Sequence, residues 1–334
     1  MHEPLSDSIE KSDSAIPAMT RRHWLRQAGM MSAAALAFRS ADLKADSKPM
    51  NPFTLDLTVW KLGIPGKQDD AIRWAAQFGF ESVGAHTGEV SQWGQKDFDT
   101  YAEILADKNL QWGTSSMPVD FRGDEDSFQD GLRKLPGQAK ALAKAGVKSA
   151  ITYIMPCHNE LTYLENFKVH RRRLAEIGRI LSDHGLRFGM EYVGTESLRN
   201  RRKYPFVHTL REGLDLIDAI GLDSVGLVMD CWHWHNAQDT VEDLKLLEPK
   251  HVVSVELNDA PVGIDRPFLQ DGTRELPVAT GVIDTAGFLN GLAAQGVKGP
   301  LMAEPFNRAF RDMPRETGLA VLAGSLRKSL DLLA

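Results

Sequence analysis

A single (β/α)8 barrel domain is predicted for most of this chain, and three observations predict it. Short apolar, β-rich runs alternate strictly with helical windows. The series of about eight such pairs matches the length of one barrel domain. The turn after the first strand reads "WKLGIPGKQDD" and lacks the Gly-rich nucleotide or phosphate turn that an open doubly wound sheet usually carries there.

The strand-like runs in order are "TLDLTVWKLGI", "FESVGAHTG", "LQWGTSSMPV", "KSAITYIMPC", "LRFGMEYVG", "DSVGLVMD", "HVVSVELND" and "GPLMAEPF". The helical windows are "DDAIRWAAQFG", "FDTYAEILADKN", "LPGQAKALAKAG", "FKVHRRRLAEIGRILSDHG", "TLREGLDLIDAIG", "TVEDLKLLEP", "DTAGFLNGLAAQG" and "RETGLAVLAGSLRKSLDLLA". Several windows end on glycine, at Gly79, Gly146, Gly185, Gly221 and Gly296, as expected where a left-handed residue turns the chain back toward the sheet.

The 334 residues carry a net charge of −6 from intermixed signs. With no basic stripe, long-range attraction to a phosphate backbone is not expected, and nucleic acid is not the expected partner. The two cysteines, Cys157 and Cys231, form neither a zinc spacing nor a disulfide framework and read as small buried thiols at strand ends.

Near the N-terminus, "TRRHWLRQAGMMSAAALAF" places Arg21 and Arg22 before a short Ala-rich run. It resembles a twin-arginine export signal, and the run is too short to span a bilayer in the mature chain. The expected organisation is therefore an export signal and linker over residues 1–46 and the barrel over residues 52–334. The resemblance implies a twin-arginine translocon as partner during export and a periplasmic or exported location. That route carries folded proteins, which fits a domain that loads a metal before it leaves the cytoplasm.

In a (β/α)8 barrel, chemistry sits at the C-terminal ends of the strands. Those ends carry, in order, Trp60, His86, Ser115 with Ser116, Cys157 with His158, Glu191, Asp230 with His233, Glu256 with Asn258 and Asp259, and Glu304. A carboxylate thus closes each of the last four strands. Adjacent strands are about 4.8 Å apart, so the four can surround one ion. Without a cation they would repel and raise one another's pKa. A metal held by Glu191, Asp230, Glu256 and Glu304 is the expectation, and oxygen ligands favour Mn2+ or Mg2+, with Co2+ as the alternative. The competing reading is that the acids cap loop amides or pair with arginines such as Arg266, Arg274 and Arg308.

From residue 51 onward the chain resembles the xylose isomerase-like TIM barrels, the superfamily of sugar phosphate isomerases/epimerases, D-tagatose 3-epimerase and inosose dehydratase. The resemblance rests on "GMEYVG", "VMDCWH", "SVELND" and "MAEPFN". It implies that Glu191, Asp230 and Glu304 are metal ligands, that Glu191 and Glu304 also serve as catalytic base and acid, and that His233 contacts substrate. Glu256 stands where the epimerases have a histidine ligand. Trp60, His86 and Arg266 are further candidates for substrate contact, and Asn258, Asp259 and His235 for supporting the ligands. The other tryptophans, Trp112, Trp232 and Trp234, could also stack on a sugar, and the basic insert "TESLRNRRKYPFVHT" could cover the mouth.

The function expected is a metal-dependent sugar isomerase or epimerase working through an enediolate on a small carbohydrate, with self-association into a homo-oligomer compatible with the barrel. The alternatives are a lyase or dehydratase acting on a keto-sugar or keto-glycoside, an endonuclease IV-like phosphodiester hydrolase, and a non-catalytic sugar binder.

Overall fold

The computed structural model describes residues 51–334; the expected export signal lies outside the described residues. Eight parallel strands close into a barrel. They are β1 Phe53–Leu57, β2 Ser82–Ala85, β3 Gln111–Ser116, β4 Ser149–Ile154, β5 Arg187–Tyr192, β6 Val225–Asp230, β7 Val252–Leu257 and β8 Gly299–Ala303. Each strand pairs with its neighbours in sequence, and β8 closes on β1 through Phe53–Gly299 and Leu55–Leu301. Seven lie within the runs expected from the sequence, and β1 starts one residue before its run.

The main helices are α1 Gln68–Phe78, α2 Gln95–Asp107, α3 Glu125–Ala145, α4 Tyr163–Asp183, α5 Leu210–Ile220, α6 Cys231–Ala237, α7 Thr285–Ala294 and α8 Arg315–Leu330. Gly79, Gly146 and Gly221 cap α1, α3 and α5 in the left-handed region. Gly185 and Gly296 take positive φ one residue past the caps of α4 and α7.

Two windows differ from expectation. Helix α3 starts ten residues before "LPGQAKALAKAG", because Asp124 caps it by accepting a 2.7 Å hydrogen bond from the Ser127 amide. The window "TVEDLKLLEP" forms only a 3-10 turn, Asp243–Leu246, with Pro249 too close behind for a longer helix. The helix between β6 and β7 is instead α6, which begins at the residue following the strand.

The barrel interior is built in layers. Ile151, Val228, Val253 and Met302 form its apolar layer, with Trp60 packed against them. Gly189 belongs to the same layer, since a methyl group there would touch Ile151, Val253 and Val228 at about 3.0 Å. Because side chains alternate along a strand, the residues two further on face the same interior one layer higher. These are Tyr153, Glu191, Asp230 and Glu304. On β7 the interior residues Val253 and Glu256 are three apart. The pairing of β6 with β7 slips by one residue there, from Leu227–Val252 to Val228–Ser254. Such an extra residue reverses the facing of everything after it, and so aims Glu256 inward.

Outside the barrel, His170 of α4 is buried against Phe121 and Phe206. Its Nδ1 donates to the Asn166 carbonyl at 3.0 Å. Burial holds its pKa at about 4, below the ordinary histidine value of 6.5. The unfolded chain therefore binds more protons between these values, so stability falls as pH drops from about 6.5 toward 4. Denaturation midpoints measured across that window should decline less in His170→Phe than in the parent; parallel profiles would remove His170 as a cause.

Candidate active site

Strand geometry brings the four carboxylates together. One oxygen from each of Glu191, Asp230, Glu256 and Glu304 lies within 4.8 Å of the others, and Glu191, Asp230 and His233 form an overlapping group. Asp230 and Glu256 are register partners on β6 and β7. All four side chains are buried, Glu256 completely.

Asp230 also ends its strand and caps α6. Its Oδ1 accepts the Trp232 amide at 2.8 Å and Asn258 Nδ2 at 3.0 Å. This cap starts the helix at once, so His233 and His235 are not alternate residues of a continuing strand. They leave a helix about 200° apart. His233 turns into the mouth, with Nε2 3.7 Å from Glu191 Oε1. Its Nδ1 accepts the Gly194 amide at 3.2 Å. Gly194 is required by close approach, since a Cβ there would sit 2.2 Å from the His233 carbonyl oxygen. His235 is only partly buried, and burial, aided by the nearby Arg266, pushes its pKa down to about 4.

Two cations occupy the ring, and one of them, Lys61, was missed by sequence reasoning. Lys61, in the turn after β1, puts Nζ 2.5 Å from Glu256 Oε1 and 3.4 Å from Glu304 Oε1. Arg274, from the loop after β7, donates through Nη1 to Asp230 at 3.0 Å and to Glu304 at 2.8 Å. Its Nη2 lies 3.0 Å from His233 Nε2, and the guanidinium is stacked 4.7 Å from Phe306 and 5.5 Å from Trp232. Both are buried. Arg274 was among the arginines expected as partners for the acids. Lys61 carried no sequence signal beyond its place next to Trp60 at a strand end.

Burial would lower the Lys61 pKa, but Glu256, Glu304 and Glu191 together hold it above the ordinary lysine value. For Arg274 the outcome is the same, with burial opposed by Asp230, Glu304 and Asp271. Glu191 is pushed well up by burial, which Lys61 opposes while the neighbouring acids add to it. Burial also pushes Glu256 up and Lys61 pulls it back; with an ammonium 2.5 Å away, the anion is the form this geometry serves. Burial, aided by Arg274, lowers His233 to about 4 and keeps it neutral near pH 7.

The donor set fits a divalent ion. Four carboxylates face two cations, leaving two negative charges. Glu191 Oε1 and both Glu256 oxygens are buried without a well-directed hydrogen bond among the described residues. Such atoms are costly unless something binds them. Above them opens a cavity of about 290 Å³, lined by Trp60, Lys61, Tyr153, Glu191, Glu304, Phe306 and Arg311 among others.

The remaining expected residues are distributed unevenly. Trp60 lines this cavity, while Trp112, Trp232 and Trp234 direct their indole N–H groups to Ala145, to Thr195 with Asp271, and to Thr240. His86 caps the short helix Thr87–Val90 with Nδ1 2.8 Å from Glu89, outside the cavity lining. Arg266 stands near His235 on a 3-10 turn and does not reach the carboxylates, where Arg274 sits in its stead. Arg308 is exposed and paired with Asp312. In the basic insert Arg201, Arg202 and Lys203 face solvent, and Ser197 ties the segment to the Leu269 carbonyl.

Asn258 holds Asp230, as expected of a supporting residue. Asp259, expected to support the ligands, instead accepts four backbone amides, those of Ala260, Thr280, Gly281 and Ile283, at 2.7–3.0 Å. It ties down the far end of the loop carrying Arg274. The short backbone bridge from Asp259 to Glu275 secures the near end.

The chain belongs to the xylose isomerase-like TIM barrel family, whose pattern it matches over residues 72–329. It is similar to an inosose isomerase of Bacillus velezensis, 24% identical over 196 residues, which is 58% of this chain and 66% of that protein. It is 31% identical to a 3-dehydroshikimate dehydratase of Pseudomonas aeruginosa over 144 residues, 43% of this chain but 21% of that protein. The chain thus spans about two thirds of the first relative and a fifth of the second. A solved xylose isomerase domain protein from Alicyclobacillus acidocaldarius superposes with a TM-score of 0.74 at 27% identity, covering 84% of this chain and 99% of that one. A structure of the IolI protein with a zinc atom superposes with a TM-score of 0.71 at 19% identity, covering 84% and 98%.

Removing the Asp259 acceptor should cost about 3 kcal/mol of stability, because buried amides lose their partner. Chemical denaturation of Asp259→Ala tests this. A variant as stable as the parent but unable to retain metal would return Asp259 to a role in supporting the ligands.

Proposed function

We propose that this protein is a divalent-metal-dependent carbohydrate isomerase or epimerase that moves a carbon-bound proton through an enediolate. The observation that carries this reading is the buried carboxylate ring with its uncompensated charge, opening into a cavity of about 290 Å³. The similarity to an inosose isomerase supports the reaction class, and the zinc in the fold-related IolI structure is consistent with a metal at such a mouth. The bound ion, Mn2+ or Mg2+ in this oxygen-rich setting, would supply Lewis acidity to a carbonyl and its neighbouring hydroxyl.

The chain's own residues do the rest. Glu191 and Glu304 both border the cavity and approach it from strands β5 and β8. As base and acid they take a proton from the substrate carbon and return one. Burial pushes the Glu191 carboxyl upward, toward the range in which a carboxylate works as an effective base. His233, neutral and set between the Gly194 amide, Glu191 and Arg274, is the ring residue that would orient a substrate hydroxyl once substrate displaces the Arg274 contact at Nε2. Arg274 fixes Asp230 and Glu304 and adds positive charge where the enediolate develops. Trp60 offers an aromatic wall to the apolar face of a sugar.

A second reading, elimination from a keto-sugar or keto-glycoside, is favoured by one further observation. Gly63 and Arg311 line the first cavity and also a second one of about 500 Å³. The second is walled by Leu62, Ile64, Pro65, Phe310, Met313 and Arg315. This adjoining space suits a substituent larger than a free sugar carries. The dehydratase similarity points the same way. Expulsion of a β-substituent then takes the place of reprotonation.

Ketoses and 3-keto-glycosides incubated in D2O with Mn2+ separate the two readings. Isomerisation or epimerisation incorporates solvent deuterium at carbon, and elimination releases the substituent. Glu191→Gln should lower either rate by at least about 10²-fold while leaving the circular dichroism spectrum unchanged. Neither deuterium uptake nor release across the panel would sink the proton-transfer reading.

We also propose export by the twin-arginine route on the strength of Arg21 and Arg22. Replacing both by lysine should retain the full-length chain in the cytoplasm on cell fractionation. Unchanged export of that variant would contradict it.

A further inference from the structure

The four carboxylates of the ring are not equivalent. Asp230 is held by the Trp232 amide, Asn258 and Arg274, and Glu304 by Arg274 at 2.8 Å with Lys61 farther off at 3.4 Å. Glu256 is the most deeply buried of the four and has one close counter-charge, the Lys61 ammonium at 2.5 Å. That contact is an ion pair without the direction of a good hydrogen bond. Lys61 is not a mobile surface lysine brought in by chance. Its side chain is 7% exposed. The turn that carries it is closed by hydrogen bonds from the Lys61 and Leu62 amides to Thr58 and Val59, and from the Ile64 amide back to Val59. Gly63, with φ of 65°, lets the chain turn back just beyond it.

We infer that Glu256 is the fixed counter-anion of Lys61 and not a ligand of the ion, so that the metal is held by Glu191, Asp230 and Glu304 alone. This deepens, and rests on, the metal-dependent reading given above. The charges support it. Lys61 and Glu256 cancel as a pair, and the remaining three carboxylates outnumber Arg274, which Asp271 also approaches at 3.6 Å, so the negative charge left over is one that a divalent ion would offset. Breaking a buried pair leaves an uncompensated charge, whereas replacing both partners by neutral groups does not. Lys61 is accordingly a positioning residue that keeps Glu256 off the metal and leaves the ion's remaining positions open to substrate oxygens.

The test is a double-mutant cycle on the whole protein with Mn2+ alone as probe. It uses Lys61→Met, Glu256→Gln, the double variant, Lys61→Arg and, as a ligand control, Glu191→Gln. Titration calorimetry and metal content report binding, and thermal unfolding in EDTA reports the pair itself. Glu191→Gln should weaken Mn2+ binding by about 100-fold or more. Glu256→Gln, which leaves Lys61 unpaired, should weaken it by about 10-fold, and Lys61→Met should strengthen it by freeing Glu256. The double variant should bind one Mn2+ within about threefold of the parent, as should Lys61→Arg. In EDTA each single change at Lys61 or Glu256 should lower the unfolding temperature, and the double variant should recover most of the loss. A double variant that folds but binds Mn2+ about 100-fold more weakly than the parent makes Glu256 a ligand and overturns the inference, leaving the metal-dependent reading intact. A parent that takes up no Mn2+ overturns both.

Discussion

Like charges crowded into a buried space are the constraint on which the rest of this structure depends. Side-chain carboxylates from β5, β6, β7 and β8 meet within 4.8 Å of one another, where burial limits how far water can screen them. Such an arrangement is tenable only if cations enter it. Two come from the chain, on the loops after β1 and β7. The charge that they leave unmatched is what makes the mouth a place for a divalent ion and for chemistry in which negative charge builds up on a substrate.

Much of the surrounding architecture can be understood as holding those groups still. The slip in pairing between β6 and β7 turns Glu256 inward. The cap that Asp230 supplies to α6 fixes its own carboxylate and sends His233 into the mouth. The missing side chain at Gly194 lets α6 approach closely enough for a backbone amide to orient the His233 ring. Asp259, four residues after Val255, gathers the amides of the following loop and so positions Arg274 at a distance. None of these devices touches a substrate, yet each decides where a reacting group stands.

The barrel was legible in the sequence because its signal is repeated. Eight apolar runs, eight helical windows and left-handed glycines all agree, and local errors such as the window at "TVEDLKLLEP" do not disturb the alternation. The four acids were legible for the same reason: each closes an apolar run. What was not legible depended on long-range approach. Nothing in "TVWKLGIPG" distinguishes a lysine that enters a carboxylate ring from one that reaches solvent. The choice between Arg266 and Arg274 turned on the path of an irregular loop. His235 was expected to support the ligands, but the cap that Asp230 supplies begins a helix at once and turns it about 200° from His233. Asp259 shows the converse case, an acid at a strand end whose partners are backbone amides that only the folded loop brings near.

The account stands on the mouth binding a divalent ion, and diffraction near the manganese absorption edge from crystals grown with Mn2+ tests that most directly. A single anomalous peak within about 2.0–2.6 Å of oxygens from Glu191, Asp230 and Glu304 is the predicted result. A mouth with no peak, its carboxylates met by Lys61 and Arg274 alone, would contradict the account.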